Sequence, residues 1–214
     1  ELIRTLEKAK TIPNSVVVHV MTTKGKGYIY AENDTNGQWH GVEPFNKATG
    51  LMLNQSKEIG WSEFIADEVY ERMGKDQDIV AITPAMISGS KMEKIFKDYK
   101  ERAFDVGIAE AHAATFAAGL AISGKKPFLS IYSSFLQRAY DQLNHDIARM
   151  NLAVVVGIDR AGLVAGDGET HHGVFDLGIL KPLPNTYIYA PSSKKEAQWF
   201  LDEAFKAEHG LYCI

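Results

Sequence analysis

The sequence predicts an α/β fold, a parallel sheet with helices on both faces, and three observations predict it. From residue 56 onward, short apolar runs alternate with amphipathic helical stretches. The runs Ile79-Val80-Ala81-Ile82 and Val154-Val155-Val156 are apolar without interruption, as suits strands covered on two sides. Most of the unusual polar residues follow such runs directly, at 83–89, 106–110, 131–138 and 159–172. In open parallel sheets, ligands bind beyond the carboxyl ends of the strands.

Residues 1–10 read as the end of a helix, Pro13-Asn14-Ser15 as a turn, and 16–21 as a buried strand. Residues 22–55 are rich in Gly and Asn and lack periodicity, and a structureless stretch of that length marks a linking or functional segment. One helix and one strand cannot bury a core. Residues 1–55 are therefore expected to be the tail of a preceding domain plus a linker, and 56–214 a domain of their own. There Trp61, Phe64, Ile65, Val69 and Met73 mark one face of a helix. A strand at 79–82, a helix at about 91–99, a strand at 104–106, a helix of small residues over 109–122 and a strand at 127–131 follow. Leu136, Tyr140, Leu143, Ile147 and Met150 predict one long helix over 134–150 with a single apolar stripe, leading into a buried strand at 153–158. After a strand at 187–189, Ser193 and Glu196 have capping-box spacing for a helix with Ala197, Phe200, Leu201, Ala204 and Phe205 inward. Cys213-Ile214 reads as the start of one more strand.

The 214 residues are 45% hydrophobic and 23% charged, a globular rather than a disordered composition. A net charge of -4, without Lys/Arg clusters interleaved with aromatics, argues against nucleic acid and against an anionic membrane as partners. Small molecules or another subunit remain. The single cysteine, Cys213, forbids an internal disulfide. With no signal peptide and no long apolar stretch, the expected compartment is the cytoplasm.

Glu110, in Phe104-Asp105-Val106-Gly107-Ile108-Ala109-Glu110, stands where a strand meets a helix of small residues. Set among apolar groups, a carboxyl is poorly solvated and suits proton donation to a ring nitrogen; alternatively it lies exposed in a helix first turn, where negative charge meets the macrodipole. The segment 159–173 follows the strongest strand. Its glycines allow close backbone approach, Arg160 suits a phosphate and His171 a proton transfer; alternatively it is a solvated loop making its own turn bonds. Its paired histidines lack zinc-site spacing. Phe135 either stacks on a heterocycle, with Tyr132 and Arg138 reaching polar atoms, or anchors the core beneath a surface arginine. Lys24-Gly25-Lys26-Gly27-Tyr28 resembles a phosphate-side loop without Walker spacing. His40 is either a proton donor or structural.

Taken together, five ordered segments resemble the 1-deoxy-D-xylulose-5-phosphate synthase family of the transketolase superfamily, along essentially the whole chain. They are Met21-Thr22-Thr23-Lys24-Gly25-Lys26-Gly27-Tyr28, Ala81-Ile82-Thr83-Pro84-Ala85-Met86, the Glu110 segment, 131–142 and 159–172. The resemblance implies a thiamine-diphosphate-binding fold, with 1–55 the end of the diphosphate-binding domain and 56–214 most of the pyrimidine-binding domain. It implies thiamine diphosphate and Mg2+ as cofactors, pyruvate and D-glyceraldehyde 3-phosphate as substrates, release of carbon dioxide and a homodimer. The product would be 1-deoxy-D-xylulose 5-phosphate, a precursor of isoprenoids, thiamine and pyridoxal. Glu110 would hydrogen-bond the aminopyrimidine nitrogen and promote the tautomer that takes the thiazolium proton. Tyr28, Phe135, Arg138, Lys24 and Met86 would contact the cofactor. Tyr132 and Arg160 would lie near the acceptor phosphate, and Asp167, His171 and His40 around the reacting carbons.

The resemblance has departures. Ala111 stands where the family usually has Gln, Ala153 and Leu211 where prolines are common, and Ala165-Gly166 differ from the usual residues before Asp167. The family's magnesium motif would fall before Glu1 and a further phosphate-binding arginine after Ile214, so these 214 residues alone are expected to be inactive. Two alternatives stand beside the synthase: a transketolase-type two-carbon transferase, against which Asp159-Arg160-Ala161-Gly162 and the run 135–142 speak, and a degenerate homologue without catalysis, suggested by Ala111.

Overall fold

Residues 16–21, expected as a buried strand, do not pair in the computed structural model, which describes residues 1–34, 39–53, 59–164 and 166–214. Val17 is 94% exposed and Met21 88%. A strand gains its stability from a neighbour's hydrogen bonds and a covered face, and no described segment of 1–55 supplies them. The chain divides into two units, 1–55 and 56–214, and the division itself lies outside the described residues. Unit one holds α1 (Leu2–Lys10), as expected, and a short α2 (Ile29–Glu32) that its Gly-rich surroundings concealed.

In unit two, α3 (Trp61–Lys75) leads to β1 (Ile79–Thr83), α4 (Glu93–Asp98) to β2 (Ala103–Asp105), and α5 (Glu110–Ile122) to β3 (Lys126–Tyr132). The next stretch is helical in pieces: α6 (Ser133–Leu136), a 3-10 turn (Gln137–Ala139), α7 (Tyr140–Gln142) and a π turn (Leu143–Ala148). Then come β4 (Val154–Asp159), α8 (Asp176–Leu180), β5 (Thr186–Ile188), α9 (Lys194–Lys206) and β6 (Leu211–Cys213). All pairings are parallel, in the order β2-β1-β3-β4-β6-β5.

Alternate residues of the strands face two cores. Ile82, Leu129, Ile131, Val154 and Val156 meet the alanines of α5 with Leu136, Leu143, Ile147 and Leu180. Ile79, Ala81, Phe128 and Val155 meet Val69, Met73, Ile95, Leu201 and Phe205 from α3, α4 and α9. Helices thus cover both faces, as the uninterrupted apolar runs required.

The single helix expected over 134–150 is corrected. A 3-10 turn overwinds the chain and a π turn underwinds it, so the stripe does not hold one register: Leu136, Leu143 and Ile147 are fully buried, whereas Tyr140 is 37% and Met150 59% exposed. At α9 the Ser193 hydroxyl accepts from Glu196 N, and the Glu196 carboxylate accepts from Ser192 N and Ser192 Oγ. The box therefore closes one residue earlier than its usual form. The strand begun at Cys213-Ile214 is β6, starting at Leu211, whose N–H donates to Asn185 O at 2.9 Å.

Candidate functional site

The site is built at the carboxyl ends of β1, β2, β3 and β4. Asp105, ending β2, accepts from Ala85 N and Gly107 N through one carboxylate oxygen, at 2.8 and 2.9 Å. This fixes the turn that starts α5. Ala113, Ala114 and Ala117 are fully buried, and their small side chains let α5 lie close against β3. Its first residue, Glu110, is consequently carried under cover at 4% exposure. The alternative of an exposed helix-end acid falls, although the position is indeed in the first turn.

Arg138 Nη1 donates to Glu110 Oε1 at 2.7 Å, with the arginine side chain 55% exposed. The same guanidinium lies over the Phe135 ring, 4.9 Å from its centroid, a cation–π arrangement. Phe135 is half-buried, so it edges the core with one ring face engaged elsewhere. It stacks with Tyr132 at 5.8 Å and 15° and meets His171 at 5.2 Å and 70°. Met86, buried, accepts from Tyr132 N through sulfur at 3.3 Å.

The Arg160 guanidinium covers the Tyr132 ring at 4.4 Å, and the arginine donates to Asp167 Oδ2 at 3.0 Å and to Gly89 O at 3.0 Å. Burial raises the Tyr132 hydroxyl above its ordinary pKa of 10.0, with Arg160 opposing; the hydroxyl therefore remains a neutral donor at physiological pH. Arg160 sits at φ +60, a left-handed conformation uncommon for a side chain of that size. A β-carbon on Gly89 would fall 1.6 Å from the Tyr132 hydroxyl, so a larger residue there would push the Tyr132 ring or this backbone aside.

The loop after β4 is closed at its base by Gly162 N to Gly173 O at 2.7 Å and Gly173 N to Gly162 O at 2.8 Å. Within it Val164 N donates to His172 Nδ1, and Thr170 Oγ1 lies 2.9 Å from His171 Nδ1. The loop has its own bonds, as a surface loop would, yet it also brings Asp167 to Arg160 and His171 to Phe135. Ala165, one of the unusual residues here, lies outside the described residues. Among the described residues, no group of three or more His, Cys, Asp or Glu side chains could hold a metal ion.

Eight expected residues of unit two (Glu110, Arg138, Phe135, Tyr132, His171, Arg160, Asp167 and Met86) are thus joined by direct contacts. In unit one, Lys24 Nζ lies 3.1 Å from His40 Nδ1, which must accept because an ammonium only donates. Tyr28 sits among Tyr30, Trp39 and Phe45 and donates to Lys47 O at 3.0 Å. In the Lys24–Tyr28 loop, Gly27 N is taken by the Glu32 carboxylate at 2.7 Å, so that amide already has an acceptor.

A cavity of about 500 Å3 opens beyond β4 and β6, lined by Trp61, Ser62, Asp159, Arg160, Leu177 and Tyr189 among others. Of the expected residues it reaches Arg160 alone, so the contact chain centred on Phe135 is the better candidate for chemistry. Sequence reasoning missed two polar links. Asp159 accepts from Ser62 Oγ at 2.5 Å and Ser130 Oγ at 3.2 Å, and Asp176 accepts from Ser133 Oγ at 2.6 and 2.8 Å. The only local sign was a hydroxyl residue at a strand end or helix start.

The family described as transketolase, pyrimidine binding domain, matches residues 57–213. The 1-deoxy-D-xylulose-5-phosphate synthase of Listeria monocytogenes is 53% identical over the whole chain, which covers 35% of that protein, and that of Lysinibacillus sphaericus is 53% identical over 96% of the chain and 33% of its own length. The chain thus spans about a third of the curated relatives it matches. Among solved structures, a split-gene transketolase described as an inactive beta4 tetramer is 27% identical, with a TM-score of 0.62 over 71% of this chain and 49% of that one. A Pichia stipitis transketolase in complex with sedoheptulose 7-phosphate, at 14% identity, a TM-score of 0.63 and coverage of 71% and 24%, shares the fold.

Proposed function

The chain belongs to the transketolase pyrimidine-binding domain family, and from that premise we propose that it is the pyrimidine-binding part of a thiamine-diphosphate-dependent 1-deoxy-D-xylulose-5-phosphate synthase, acting as a homodimer. The reaction would condense pyruvate with D-glyceraldehyde 3-phosphate, release carbon dioxide and supply isoprenoid, thiamine and pyridoxal synthesis. The observation that carries the reading is Glu110, a buried carboxyl at the strand ends, in contact with Arg138 beside the Phe135 ring, in a chain 53% identical to named synthases.

These residues fit the aminopyrimidine half of the cofactor: a buried carboxyl suits a ring nitrogen, and a half-buried aromatic face suits a flat heterocycle. When bound, thiamine diphosphate supplies the carbon nucleophile and electron sink that decarboxylation of a 2-oxo acid needs. Glu110 holds a proton against the ring nitrogen, general acid–base work made effective by fixed geometry, while Arg138 orients its carboxyl and Phe135 stacks. Met86 backs Tyr132 beside them. Tyr132 and Arg160 take the acceptor phosphate, with Arg160 steadied by Asp167 and the Gly89 carbonyl. His171 moves protons near the reacting carbons.

Supplying the protein at its full genomic length with thiamine diphosphate, magnesium, pyruvate and glyceraldehyde 3-phosphate tests the reading. Carbon dioxide release that depends on both substrates is the expected outcome. Two-carbon transfer between sugar phosphates without carbon dioxide would replace the synthase by a transketolase, and no reaction of either kind would favour a non-catalytic homologue.

A further inference from the structure

We infer that Ser133 and Asp176 are a positioning pair that locks the two halves of the site together. This rests on the functional reading above. One half, carried by the start of the helical stretch after β3, holds Tyr132, Phe135 and Arg138. The other, the loop between Gly162 and Gly173, holds Asp167 and His171. Ring contacts of His171 with Phe135 and Tyr132 join them, and such contacts are individually weak.

The polar join is Ser133 to Asp176. Ser133 is 2% exposed, opens α6 and immediately follows Tyr132, and its hydroxyl proton is shared between the two Asp176 carboxylate oxygens at 2.6 and 2.8 Å. Asp176 opens α8, three residues after Gly173 closes the loop. Gly173 itself lies tight against the same hydroxyl: a β-carbon there would be 2.1 Å from Ser133 Oγ and 2.6 Å from Arg160 O. One buried, charge-assisted bond therefore fixes the loop's exit to the helix that carries Phe135. Such bonds are short and stronger than neutral ones. Arg160 keeps a support outside this loop, the Gly89 carbonyl at 3.0 Å, so the pair acts on the orientation of His171 and Phe135 more than on phosphate binding.

The test uses the full-length protein with thiamine diphosphate and magnesium, comparing Ser133→Ala, Asp176→Ala, the double variant and Asp176→Asn. Each alanine variant is expected to lower kcat about ten-fold, since small misplacements of reacting groups are costly, and to change KM for the aldehyde by less than about two-fold. The double variant should be no slower than the worse single one, as for two partners of one bond. Asp176→Asn, whose amide oxygen still accepts, should recover most of the turnover. Independently of any substrate, the amides of Gly162 and Gly173 should exchange with deuterium at least about ten-fold faster in Ser133→Ala. Wild-type exchange rates in Ser133→Ala, or wild-type kcat in that variant, would overturn the pair; Ser133→Ala also decides the matter if Asp176→Ala does not fold. A wild-type protein that releases no carbon dioxide defeats the functional reading instead, and the exchange experiment then still decides the lock.

Discussion

At the scale of single residues, the site depends on side chains that are absent as much as on those present. Gly173 leaves room that Ser133 and the Arg160 carbonyl fill, and the carbonyl belongs to backbone that cannot swing aside. Gly173→Ala is expected to cost about 1–3 kcal/mol through overpacking, measured as a lower denaturation midpoint, and to reduce turnover because the loop base opens. Glu110 shows how much of this was legible in the sequence. An acid between an apolar strand and small residues stood out, but burial and exposure were both compatible with the local pattern. What decided between them was α5 lying close on β3, a tertiary fact. The Arg138 contact was likewise invisible, because residues 28 apart in sequence meet only through the sheet.

At the scale of elements, apolar runs and helical periodicity located the strands within a few residues, since both faces of the sheet are covered and the pattern is correspondingly strong. Two of the expected elements went otherwise. The strand expected at 16–21 depended on neighbours that periodicity cannot supply, and the helix after β3 is broken into 3-10, α and π turns that displace Tyr140 and Met150 from the core. Other joints are electrostatic. Asp76, just after α3, accepts from Lys126 Nζ at 2.7 Å at the start of β3, and that bond holds its carboxyl below the ordinary value of 3.8 against the opposing effect of burial. A lowered carboxyl pKa stabilises the fold above the ordinary value, and the gain is lost as pH falls through the lowered one. Lys126→Met should therefore melt earlier than wild type at neutral pH, and the difference should begin to shrink below about pH 3.8 and vanish only once the pH has fallen through the lowered value. A difference that persists undiminished at low pH would show that the joint is not this ion pair.

At the scale of the whole molecule, a parallel sheet whose strand ends gather Glu110, Phe135, Arg160 and His171 brings residues scattered through unit two into one chain of contacts. The sequence revealed the members of that site through four separate segments, whereas the bonds among them, Arg160 to Gly89 and Ser133 to Asp176, appear only once β1, β3 and β4 stand side by side. The central claim is that Glu110 supplies the proton on which turnover depends. Its most direct test is kcat for carbon dioxide release by full-length Glu110→Gln, which keeps the shape of the side chain and a hydrogen-bonding amide but removes the acid. A fall of at least about 100-fold, the scale of general acid–base catalysis, with an unchanged melting temperature is the expected result; a folded variant turning over at the wild-type rate would contradict it.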